Sequence, residues 1–335
     1  MLVKLTLSDI ARICDGELFG EDNAFCEIKT DTRAALEGAL FVAIKGDSFD
    51  GHTYLEAAID QGASGVLSEN QVQVRPLVLV SDTRQAYADI AHYLRTQFSG
   101  SLVAITGSNG KTTVKEWLSQ CLQLSCNVLK TEKNNNNQIG VPLTLLGLKA
   151  EHDVAVIEAG TSFVGEIEKL AEVTCPDIAV ITNASGSHFA GFGSIEGIAK
   201  EKGALLMGLR CDGLAVLNFD DPWYSYWQSL LQGKRVLSFG FNQGADMQVK
   251  EISLSHQSSV SSVHYQGQVG DLILSVPGKH QIANAMAVLL VMLELGIEFV
   301  EACLRLSAPL IIDKRLQFQY SNSQALVLND CYNAS

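Results

Sequence analysis

Ile105-Thr106-Gly107-Ser108-Asn109-Gly110-Lys111-Thr112-Thr113 joins the apolar run Leu102 to Thr106 to the helix-compatible stretch Val114 to Leu124. A strand that feeds a glycine-punctuated turn and then a helix makes a phosphate cradle. Glycine lets the backbone turn tightly and aim consecutive N–H groups inward, and the helix N-terminus adds partial positive charge. The first glycine of the general G-x-x-x-x-G-K-[ST] pattern is absent, because Ile105 stands there. The remaining spacing predicts that Gly107, Ser108, Asn109, Gly110, Lys111, Thr112 and Thr113 hold a nucleoside triphosphate. Lys111 reaches the terminal phosphates and Thr112 ligates Mg²⁺.

Working outward, apolar runs alternate with helical stretches. Leu102 to Thr106, Val154 to Glu158, Ile178 to Asn183, Leu214 to Asn218 and Val236 to Phe239 read as strands separated by helices, the pattern of a mostly parallel sheet covered on its faces. Met247 to Val276 alternates polar and apolar residues over short stretches and reads as appended antiparallel strands, and His280 to Gly296 reads as an apolar helix. Upstream, Gly38 to Gly46, Gly65 to Leu67 and Leu77 to Val80 contain strands, with a helix over Thr53 to Gln61. The expected class is α/β: a small N-terminal α/β substrate domain over 1–82, a connecting helix over 83–99 and a P-loop central domain over 100–312. A hinge and the first strand of a further domain fall in 313–335.

Composition excludes several function classes. The chain has 335 residues, 47% of them hydrophobic, enough for two cores, and a net charge of −13 with no basic run, which argues against a nucleic-acid partner. Eight cysteines lie scattered without C-x-x-C or zinc spacing, as in a reduced cytoplasmic protein. The longest apolar run, Ala285 to Leu293, is too short to span a membrane, so no membrane insertion is expected.

Polar residues gather at strand ends, where ligands sit in such folds. Thr32 and Arg33 precede the Gly38 to Gly46 strand, and Lys45 and His52 follow it; turn chemistry around Asp47 and Asp50 accounts for this cluster equally well. Asn134 to Asn137 puts four carboxamides before an apolar helix, more than a cap needs, so at least two are expected to meet a ligand. Glu158 ends a buried strand in the place of an acidic Mg²⁺ ligand, and His188 follows another strand on the same sheet edge, where it suits a metal or a phosphate.

Together these motifs resemble the ATP-dependent Mur ligases of peptidoglycan synthesis. The resemblance rests on Thr30-Asp-Thr-Arg33, Phe41 to Gly46 with Phe49 to His52, Thr106 to Lys115, Asn134 to Leu146, Glu158-Ala-Gly160 with Gly165-Glu-Ile167, His188 with Gly191 to Gly193, Lys200 to Gly203, Gly278 to His280 with Asn284, Arg315, and Asp330 to Ala334. It implies a monomeric cytoplasmic ligase that uses ATP and Mg²⁺ to join D-alanyl-D-alanine to UDP-N-acetylmuramoyl-tripeptide through an acyl phosphate. Thr32, Arg33, Lys45 and His52 would bind the UDP part, and Asn136 and Asn137 would line the phosphate and substrate region. Lys111 would bind the β- and γ-phosphates; Thr112, Glu158 and His188 would organise the metal. Lys202 would act as a carbamate facing a second Mg²⁺, His280 and Asn284 would lie near the adenine, and Arg315 and Asp330 at the hinge. Lys133, Thr161 to Val164, Ala204 and Asn329 depart from the family pattern, and Ser335 falls where the third domain begins. A non-catalytic binding module and a sister ligase of folylpolyglutamate or diaminopimelate-adding type are the alternatives.

Overall fold

The computed structural model describes residues 2–46, 49–186 and 192–309, with the backbone of 317–320 and 326–329. In chain order the strands are β1 (Leu5–Thr6), β2 (Glu17–Phe19), β3 (Ala24–Phe25), β4 (Glu27–Lys29), β5 (Ala39–Val42), β6 (Gly65–Ser68), β7 (Leu77–Leu79), β8 (Ser101–Thr106), β9 (Val128–Lys130), β10 (Val154–Glu158), β11 (Ile178–Ile181), β12 (Leu214–Asn218), β13 (Arg235–Gly240), β14 (Met247–Leu254), β15 (Ser259–Tyr265), β16 (Gln268–Leu274), β17 (Gln317–Tyr320) and β18 (Leu326–Asn329). They fall in two compact units, one of residues 1–100, 131–152 and 172–174, the other of 101–130, 153–171 and 175–335.

The first unit carries the sheet β2-β7-β6-β5-β4, parallel except for β2, which runs antiparallel to β7. β5 and β6 are buried along their whole length, which is why they read as continuous apolar runs rather than alternations. The helix Thr83–Gln97 starts where Asp82 accepts from the N–H groups of Arg84 and Gln85, and it buries Tyr87, Ile90 and Leu94 in the core below. Ile139 and Leu146 pack on that same core, so the helix Gly140–Leu146 and the segment 131–152 belong to the first unit although β8 and β9 precede them in the chain.

The second unit carries the sheet β16-β15-β14-β13-β12-β11-β8-β10-β9. Neighbours from β9 to β14 run parallel, and β14, β15 and β16 are antiparallel, as the change of pattern after Met247 predicts. β9 escaped the sequence reading because it is three half-buried residues at a sheet edge. The helix Lys279–Glu294 runs through the core, burying Ile282, Ala285, Met286, Val288 and Leu289, and Gly296 closes it at φ +87°. The chain moves from β8 to the edge strand β9, returns through β10, and then crosses to β11 on the other side of β8. That reversal opens a crevice at the carboxyl ends of β8, β10 and β11.

Candidate functional site

β8 delivers Thr106 to that crevice, and Gly107 and Gly110 take φ +151° and +87° before the helix Lys111–Leu122 begins. Both glycines are required by close approach. A Cβ on Gly107 would lie 1.8 Å from Thr182 Oγ1, and one on Gly110 would lie 2.4 Å from Asn284 Oδ1. The loop is held by the segment after β11: Ser108 N donates to Asn183 O (2.9 Å), Asn109 N to Asn183 Oδ1 (3.1 Å), and Thr182 Oγ1 donates to Asn109 O (2.6 Å). Ser108 Oγ donates to Ser185 O at 2.9 Å and accepts from Ser185 N at 2.9 Å. These bonds within the protein hold the shape of the cradle.

Lys111 Nζ donates to Gly107 O at 2.7 Å, so its ammonium folds back over the loop where phosphate oxygens would sit. Thr112 Oγ1 donates to Glu158 Oε1 at 3.3 Å, joining the end of β10 to the first turn of the helix. Glu158 is buried, and Lys115, fully buried behind it, lies 3.9 Å from its second oxygen and 2.8 Å from Glu116.

Lys202 lies buried in the helix Ile195–Gly203. Burial, and then the nearby Lys111 ammonium, lower its pKa to about 7. Gly203 lets that helix approach Leu230 and Trp227, where a Cβ would meet carbons at 3.0 and 3.1 Å, and Trp227 Nε1 donates to Ala199 O at 2.9 Å. Asn284 is buried against Gly110, with its amide donating to Gln281 at 3.3 Å, while His280 is exposed at the start of the same helix. The second unit thus brings Gly107 to Thr113, Glu158, Lys202 and Asn284 around one crevice. His188, Arg315 and Asp330 lie outside the described residues.

In the first unit, Asn137 Oδ1 accepts from the N–H groups of Ile139 (3.1 Å) and Gly140 (2.9 Å), so this carboxamide opens the helix Gly140–Leu146. Asn136 N donates to Asn134 O at 2.8 Å in the turn before it. Lys133 has φ +51°, a left-handed conformation that glycine adopts more readily than lysine. A cleft of about 300 Å³ is lined by Lys45, Gly46, Glu69, Asp82, Thr83 and Arg84. Of the residues predicted for the UDP part, Lys45 lines it. Arg33 stands exposed and paired with Asp31 at 2.7 Å, and Thr32 is half-buried beside them. The His52 ring is engaged at both nitrogens, with Asp50 Oδ1 at 2.6 Å and the N–H of Glu69 at 3.4 Å.

Several residues of these sites carried no sequence signal. Arg84 Nε donates to Lys45 O at 2.9 Å across 39 positions. Asp221 accepts from the N–H groups of Ala184 (2.8 Å) and Trp223 (3.0 Å) and so anchors the strap over the P-loop; burial raises its pKa against the pull of those two donors. The turn pair Asp221-Pro222 was the only available hint.

Comparison with known proteins gives a consistent picture. The profile of the Mur ligase middle domain matches residues 105–292, and that of the Mur ligase family catalytic domain matches 25–100. The UDP-N-acetylmuramoyl-tripeptide--D-alanyl-D-alanine ligase of Escherichia coli (strain K12) is 37% identical over 100% of this chain and 74% of its own length. Among solved structures, MurF from Acinetobacter baumannii superposes with a TM-score of 0.94 at 29% identity, over 100% of this chain and 74% of that one. MurF ligase from Thermotoga maritima in complex with ADP gives 0.84 at 30% identity, over 92% and 71%.

Proposed function

The chain belongs to the Mur ligase family, and from that premise we propose that it joins D-alanyl-D-alanine to UDP-N-acetylmuramoyl-tripeptide at the expense of ATP in the cytoplasm. The carrying observation is the internally hydrogen-bonded cradle Gly107 to Thr113, with Glu158 and the buried amine of Lys202 beside it. Relatives that share this full length of chain are ligases of the same substrates by name, which favours this reading over a sister specificity or a bare binding module.

The residues divide the chemistry. Backbone N–H groups of the loop and the Lys111 ammonium hold the phosphates in line, since phosphoryl transfer asks for position and charge neutralisation rather than covalent help. The tripeptide carboxylate attacks the γ-phosphorus, ADP leaves, and the amine of D-alanyl-D-alanine then displaces phosphate from the acyl phosphate. The Thr112 hydroxyl and the Glu158 carboxylate form a hard oxygen donor pair. Among the described residues no three His, Cys, Asp or Glu side chains converge, which suits Mg²⁺, an ion commonly held by one or two carboxylates with phosphate oxygens. When bound, Mg²⁺ supplies neutralisation of the charge on the transferring phosphoryl group. With a pKa of about 7, Lys202 holds much of its amine neutral at physiological pH, the form that adds CO₂ to give a carbamate and a released proton. Lys45 and its cleft are assigned to the UDP part, and Asn136 to the substrate.

Thermal unfolding with UDP-N-acetylmuramoyl-tripeptide, UDP-N-acetylmuramic acid and Mg²⁺·ATP, each separately, tests the assignment. Stabilisation of about 2.7 kcal/mol is expected at 100 times the dissociation constant. A shift with ATP but none with the tripeptide form would move the chain to another substrate specificity.

A further inference from the structure

Glu201 is buried, with 5% of its surface exposed; its charge acts on the neighbouring Lys202 ammonium, while its hydrogen bonds lie outside the nucleotide cradle. Its carboxylate leaves the helix Ile195–Gly203 and enters the loop after β10. There Oε2 accepts from Gly165 N at 2.7 Å, and Oε1 accepts from Ile167 N at 2.8 Å with the Thr161 hydroxyl 3.1 Å away. The helix Glu166–Thr174 has no side-chain cap of its own, because Gly165 occupies the N-cap at φ +86°. Glu201 supplies from a distant helix the acceptors that this N-terminus lacks, and its charge adds to that of Glu166 and Glu168 in the first turn.

The consequence reaches the reacting groups. Thr161 and Gly165 follow Glu158 by three and seven positions on the loop that leaves the strand carrying this carboxylate, and Glu201 is adjacent in sequence to Lys202. We propose that Glu201 is a positioning residue that fixes Lys202 against Glu158 by tying the Lys202 helix to the loop leaving β10, and so sets the geometry of the metal and carbamate region. This rests on the assignment of Glu158 and Lys202 to that region. Glu166 offers an internal control. Its Oε2 accepts from Ser162 N (2.6 Å) and Phe163 N (3.0 Å) and lies 3.2 Å from the Thr161 hydroxyl that also meets Glu201, closing the same loop on itself.

The test is calorimetric binding of the β,γ-imido analogue of ATP to the full chain with and without Mg²⁺, for the parent, Glu201→Ala, Glu201→Gln and Glu166→Ala. Glu201→Ala should bind the analogue without Mg²⁺ as the parent does, because the P-loop contacts are untouched. The enhancement given by Mg²⁺ should fall about 10- to 100-fold, the scale of losses when a group that holds metal ligands from behind is removed. Glu201→Gln, which keeps one acceptor, should fall between, and it carries the test if Glu201→Ala does not fold. Glu166→Ala should lower the unfolding temperature while keeping the Mg²⁺ enhancement. A full enhancement in both Glu201 variants would overturn the proposal, and equal losses in the Glu201 and Glu166 variants would reduce it to general loop stability. A parent chain that binds the analogue with no Mg²⁺ enhancement would overturn the metal assignment and this proposal together, whereas loss confined to the variants separates the two.

Discussion

The Lys202 amine is the residue whose chemistry depends most on its surroundings. Burial and the Lys111 charge disfavour its ammonium, bringing the pKa from 10.5 to about 7. Below pH 7 both folded and unfolded chains hold the proton, and the folded state bears the whole cost of a buried charge. Between about 7 and 10.5 only the unfolded chain holds it, so unfolding takes up a proton and stability rises with pH across that window. Lys202→Met removes this slope and should be more stable than the parent at pH 7. Urea unfolding at pH 7 and pH 9 in bicarbonate-free buffer checks it; parallel slopes for the two proteins would show that the amine is not buried in its neutral form. Lys111 and Lys202 were both legible as lysines in family motifs. Their mutual repulsion was not, since 91 positions separate them in the chain.

At the scale of elements, strands and helices were legible wherever burial imposes a period or a continuous apolar run. β8, β10, β11 and β12 read directly, and so did the helix Lys279–Glu294, because both faces of these strands and most of the helix are buried. Leu289 lies fully buried in that helix, and Leu289→Ala should cost about 2–5 kcal/mol in chemical denaturation. Asp82→Ala, which removes the cap of the exposed-sided helix Thr83–Gln97, should cost only about 0.5–2 kcal/mol. A reversal of that order would mean that the apolar helix is loosely packed. The elements that escaped notice, such as β1, β3 and β9, are two or three residues long and exist through their pairing rather than through a local pattern.

For the whole molecule, the proposed assignment has the two units divide the ligands as they divide the cores. Amide hydrogen exchange with UDP-N-acetylmuramic acid should slow in residues around Lys45, Gly46 and Thr83 of the first unit. Exchange with Mg²⁺·ATP should slow in Gly107 to Val114 and around Thr182 and Asn183 of the second. Protection of the P-loop by the UDP ligand alone would count against this division. The segment 131–152 should follow the first unit in such an experiment, since the half-buried Ile139 and Leu146 pack on its core.

The nucleotide cradle was determined by sequence alone, because a strand, two glycines and a helix start are local features whose backbone geometry follows from residue type. The alternation of parallel strands and helices was determined in the same way by burial. Tertiary structure alone decided what each glycine must avoid, Thr182 for Gly107 and Asn284 for Gly110. It also decided that Glu201 caps a helix 34 residues earlier, that Asp221 anchors Ala184, and that Asn137 spends its oxygen on a helix start. Hydrogen bonds between distant residues leave no period in the chain, and a buried carboxylate reads in sequence like any other surface charge until the fold supplies its donors.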